Sequence, residues 1–116
     1  MRIYLDYEFD DWNTYIFKER SNKYWANESK KKEEYVIKML TIGKEYKGKY
    51  PVKLKITKYF KDKKSDLDGI NTKILIDGLV RAKVIKNDNL NCIQKIEINP
   101  KFDKTKKGIE VEIEEL

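Results

Sequence analysis

Three stretches of this chain alternate apolar residues with charged or polar ones. In "RIYLDYEF" the apolar set is Ile3, Leu5, Tyr7 and Phe9, in "VKLKITKYF" Val52, Leu54 and Ile56 stand between lysines, and in "GIEVEIEEL" Ile109, Val111 and Ile113 stand between glutamates. A period of two is that of a strand with one face buried and the other wet. A fourth stretch, "NCIQKIEINP", reads as a strand ended by Pro100. A sheet with one dry face must be covered by something, and the intervening segments supply helices.

The spacing predicts a helix over about 21 to 42, with Tyr35, Val36, Met39 and Leu40 on one face. Gly43, Gly48 and Pro51 end it. A second helix is predicted over about 70 to 83, where Ile70, Ile74, Leu75, Gly78, Leu79 and Ala82 share a face. The expectation is one α/β (α+β) domain over residues 1–116, a small sheet of about four strands with two helices packed on it, in the order β-α-β-α-β-β. The loop "KFDKTKKG" then reads as a solvated hairpin tip between the last two strands, with a phosphate contact as the sharper alternative.

At 116 residues the chain is long enough for one core. Cys92 is its only cysteine and it has no histidine, which excludes an internal disulfide, His-based triads and His zinc sites. Any catalysis falls to carboxylates, Lys, Tyr or a metal. The opening "MRIYLDYEFDDW" lacks an apolar core of signal-peptide length, and no stretch approaches a membrane span. A cytoplasmic protein with no membrane partner is expected. The net charge of +6 makes polyanions plausible partners, although the same charge also keeps a small protein dispersed.

The densest chemistry lies in "KKSDLDGINTKILIDGL", where Asp66 and Asp68 precede the second helix. Side chains two apart in extended backbone share a face, so the two carboxylates repel unless a hard cation joins them. Helix capping is the plainer explanation, worth about 0.5 to 2 kcal/mol. A calcium loop fits poorly, because that template sets Lys64 at its first ligand position and Leu75 at its last. Downstream, Asp88 in "VIKNDNL" could return to the start of the helix as a third carboxylate. Lys73, near that start, could stabilise charge on a phosphate. Asp77 follows Lys73 by four residues, and an intrahelical ion pair accounts for it without function.

The stretch "SDLDGINTKILIDGLVRAKVIKNDN" resembles the signature of the RusA-like Holliday junction resolvases of phages and prophages: an Asp-x-Asp pair, a lysine early in the next helix, an Asp-x-Leu further along it and an acidic turn after it. Two positions depart from the pattern. Gly69 stands where an Asn often follows the pair, with Asn71 two residues later, and the acidic doublet is Asn87, Asp88. A weaker likeness to the phage-type branch runs through "NTYIFKERSNKYW".

The resemblance implies a small α/β fold and a homodimer that nicks opposed strands of a four-way DNA junction. It implies Asp66, Asp68 and Asp88 as ligands of magnesium, with manganese as an alternative, and Lys73 as the catalytic lysine. DNA contacts are expected from Arg20, Lys23, Lys30, Lys31 and Lys32, although "KKKEE" also suits a solvated helical face. The rival readings are a nucleic-acid-binding module without cleavage and a phage-derived protein-interaction protein.

Overall fold

The computed structural model describes residues 1–10, 12–61 and 71–116. The elements are β1 (Arg2–Leu5), α1 (Trp12–Ser21), α2 (Lys23–Leu40), β2 (Val52–Phe60), α3 (Thr72–Arg81), β3 (Ile93–Phe102) and β4 (Ile109–Glu115). The strands form one mixed sheet in the order β1-β4-β2-β3. β4 is antiparallel to both β1 and β2, and β3 is parallel to β2.

Alternation fixes both the faces and the register. Lys53 and Lys55 of β2 stand opposite Glu114 and Glu112 of β4, so unlike charges meet on the open face, with Tyr4 and Tyr59 beside them, and the aliphatic residues of β1, β2 and β4 fall on the other. There Ile3, Leu5, Val52, Leu54, Ile56, Val111 and Ile113 join Ile37 of α2 and Leu75 and Leu79 of α3 in one core. Burial at about 25 cal/mol per Å2 makes this layer the main source of stability. Gly78 lets the helices approach closely, since a Cβ there would lie 2.4 Å from Ile37 Cδ1. Charged ties then fix their pairing: Arg81 to Glu34 at 2.7 Å and Lys30 to Asp77 at 3.6 Å.

Several expectations need correction. The helix expected over 21 to 42 begins after Asn22, whose extended backbone and Oδ1, accepting from Tyr24 N–H at 2.9 Å, cap α2; a separate helix, α1, precedes it. The buried face of α2 carries Ala26, Glu33, Glu34 and Ile37, while Tyr35, Met39 and Leu40 are exposed. Two buried glutamates hid that face from hydrophobic spacing. β1 stops at Leu5, where Tyr7 N–H turns back to Leu5 O at 2.9 Å.

Pro100 does not end β3 but lies inside it, opposite Lys58. An edge strand tolerates proline where the missing N–H would face away from the sheet. Because β2 separates β3 from β4, residues 103–108 are not a hairpin tip; they arch over the end of β2. Asp103 organises this arch by accepting from Thr105 N–H at 2.8 Å, and Lys106 lies over the Tyr59 ring at 5.0 Å.

Candidate active site

Because β2 and β3 are parallel, α3 runs back between them and the β2–α3–β3 unit has two distinct ends. At one end β2 exits at Lys61 and α3 begins at its N-cap Asn71. Open α/β sheets commonly place their chemistry beyond the carboxyl ends of parallel strands. Asp66 and Asp68 fall between those two anchors and lie outside the described residues, as does Ile70.

Asn71 is 7% exposed, and its Oδ1 accepts from Ile74 N–H at 3.2 Å. Lys73 is exposed in the first turn of α3, with no ion pair to another described residue. The expected Lys73–Asp77 pair is replaced by a tie from Asp77 to Lys30 on α2. Lys30 is therefore engaged within the fold, bridging Glu34 at 3.9 Å as well. Arg20, Lys23, Lys31 and Lys32 are exposed. Beside them stand exposed aromatics: Tyr24, and Trp25 packed edge-on against Phe17 with centroids 6.2 Å apart. Basic side chains interleaved with aromatic rings suit nucleic acid, whose backbone takes the charge and whose bases stack on the rings. The sequence carries that signal in "KERSNKYW", where charge points to Arg20 and Lys23 and the neighbouring Tyr24 and Trp25 add the rings.

Asp88 does not return to the start of the helix. It is exposed in the turn after α3, its amide donating to Asn87 Oδ1 at 2.7 Å, close to where Cys92 O accepts from Val52 N–H at the start of β2. The other end of the sheet is marked by Asp103 N–H on Phe60 O and by the Lys58–Ile109 pairing. From Val52 to Lys58 the two ends are separated by on the order of 20 Å. Among the described residues no group of three or more His, Cys, Asp or Glu is placed to hold a metal ion.

A polar cluster that sequence reasoning missed sits beneath Asn71. Glu33 is 4% exposed; one oxygen accepts from Asp10 N–H at 2.9 Å and the other has no partner among the described residues. Lys18 reaches Asp10 at 2.6 Å, and buried Lys58 faces the same region from β2. Burial pushes the Glu33 carboxyl up to about 7, and the Asp10 carboxylate adds to the rise, while the Asp10 amide, Lys18 and Lys58 oppose it. Glu33, Asp10 and Asn71 line a cavity of about 10 Å3 with Phe9, Ile74, Leu75 and Ile109, about the room of one water. Asn71 Nδ2 is likewise without a partner among the described groups. The cluster lies across this cavity from the N-cap of α3, whose first turn presents Lys73.

Among the described residues no helix is long and apolar enough to cross a membrane. No family model, curated protein or solved structure matches this chain.

Proposed function

We propose that this protein is a magnesium-dependent, structure-selective endodeoxyribonuclease that resolves four-way DNA junctions by paired nicks. The observation that supports it best is the placement of Lys73: exposed, in the first turn of α3, beside the join where the segment carrying Asp66 and Asp68 enters the helix. A cation held by Asp66, Asp68 and Asp88 would activate water and polarise the scissile phosphate. Lys73 would stabilise charge gathering on the phosphate oxygens, an effect that grows as DNA displaces water from the site. Arg20, Lys23, Lys31 and Lys32 would hold the duplex arms through their phosphates, with Tyr24 and Trp25 offering stacking surfaces where strands part.

In a single chain, Asp88 stands at the opposite end of α3 from the join. A shared cation therefore needs residues 62–70 to run back along the helix, or a second chain to supply its Asp88. A homodimer makes the second route available and places two sites for two nicks.

Incubation of a labelled four-way junction with magnesium tests the activity. The wild type is expected to release paired nicks and Asp68→Asn to bind the junction without cutting it. A wild type that binds but cuts with neither magnesium nor manganese would leave the binding-module reading, which the Tyr24–Trp25 surface favours.

A further inference from the structure

The connection from α2 to β2 and the turn that follows α3 face each other across a cleft, at the end of α3 away from Asn71. Its volume of about 440 Å3 falls in the range of clefts that take small ligands. The two walls are tied together. Tyr46 N–H donates to Val84 O at 2.8 Å, and Lys86 N–H donates to Tyr50 Oη at 2.9 Å. Tyr46 Oη donates in turn to Lys49 O at 2.8 Å. The two tyrosine rings meet edge to face with centroids 5.4 Å apart, and both pack against the core. Rings held this way are in place before a ligand arrives, so binding has little ordering left to oppose it.

The rest of the polar lining is mostly cationic. Lys47, Lys83 and Lys86 are exposed and have no ion pair to a described residue, while Glu45 is the one carboxylate among the described lining residues. Lys86 Nζ lies 5.9 Å from the centre of the Tyr50 ring, so charge and aromatic face already share one surface.

Lys83 carries a second mark. α3 ends in a turn in which Lys83 N–H returns to Val80 O and Val84 N–H to Leu79 O, both at 3.0 Å. The residue at the head of such a turn takes left-handed backbone, and the φ of Lys83 is 62°. Glycine adopts that conformation without strain and a residue with a Cβ does not. A lysine thus stands where glycine would be easier, and its side chain lines the cleft. The same bonds satisfy the last carbonyls of α3, which weakens the negative pole that would repel an anion there.

We propose that the cleft binds one nucleotide, its phosphate among Lys47, Lys83 and Lys86 and its base against the rings of Tyr46 and Tyr50. A phosphate answers cations that no described carboxylate pairs with, and a base offers a flat face to the aromatic wall. An inorganic anion would leave the rings unused, and an apolar ligand would leave the lysines unmatched. A free nucleotide and an unpaired one in a strand present the same phosphate and ring. The inference does not rest on the nuclease reading: the cleft lies at the opposite end of α3 from Lys73, and its test uses neither magnesium nor cleavage.

Calorimetric titration of the full chain at low salt, without metal, supplies that test. Deoxyadenosine monophosphate is expected to bind about tenfold or more tightly than either ribose phosphate, which lacks the base, or deoxyadenosine, which lacks the phosphate. Lys83→Gly should leave the urea midpoint unchanged or raise it, yet weaken the mononucleotide about tenfold, whereas Lys83→Arg should hold binding within about threefold. Lys95→Ala, which removes an equal charge from β3, should leave binding unchanged. Penta-deoxyadenylate separates the two sources. A strand that binds more tightly than the mononucleotide and is weakened by Lys83→Gly marks an unpaired nucleotide as the occupant; a strand that the cleft rejects marks the free one. Absence of mononucleotide binding at millimolar concentration, ribose phosphate bound as tightly as the mononucleotide, or equal weakening by Lys83→Gly and Lys95→Ala would each overturn the proposal.

Discussion

Glu33 has one oxygen tied to the Asp10 amide and the other without a partner among the described residues, in a site that favours its protonated form. A carboxyl held at about 7 in the fold and at its ordinary 4.5 in the unfolded chain binds the extra proton only when folded. Stability from this group is therefore full below pH 4.5 and lost as pH rises to 7. With solvent relaxation allowed for, the loss is on the order of 2 kcal/mol. Glu33→Gln, which keeps an acceptor for the Asp10 amide, should remove that slope in urea titrations and be more stable than the wild type at pH 8. Lys73 makes the opposite kind of prediction. Its exposed side chain carries no packing, so Lys73→Ala should leave melting unchanged, reduce junction cleavage by about 100-fold or more, and keep junction affinity within several-fold. The sequence made Lys73 legible because spacing set it in the first helical turn. It could not reveal Glu33, since a glutamate in "KKKEE" looks like a solvated charge until Asp10 and Asn71 are folded over it.

At the scale of elements, period-two alternation carried β1, β2 and β4 because each has one wet face, and apolar spacing carried α3 because its buried set is free of charge. The helix pair α1–α2 was not separable, for no apolar rhythm marks α1 and the break rests on one side-chain cap at Asn22. Nor does alternation say which strand neighbours which, so the arch over β2 looked like a hairpin. That arch depends on Gly108. Its φ is +94°, and a Cβ there would stand 2.1 Å from Leu5 O, a backbone atom that cannot step aside. Gly108→Ala should cost about 3 kcal/mol, through strain and clash together, measured as a fall in the urea midpoint. An alanine variant as stable as the wild type would mean that the arch closes onto β1 in some other way.

For the whole molecule, the parallel β2–β3 pair governs everything said of the site. It makes α3 a return path, sets Asp88 and the α3 N-cap at opposite ends, and leaves β3 at the edge of the sheet formed by the described strands. Sequence spacing showed carboxylates up to 22 positions apart but not this separation, because direction along a sheet is decided by pairing and not by local pattern. Under the proposed activity, this separation favours a site in which Asp66 and Asp68 of one chain would share a cation with Asp88 of another. Mixing two inactive variants tests this directly. Asp68→Asn and Asp88→Asn should each fail to cut a four-way junction with magnesium. After unfolding and refolding together they should form mixed dimers holding one intact site and nick a single strand. A mixture as inactive as its components, or cleavage by either variant alone, would contradict the shared site.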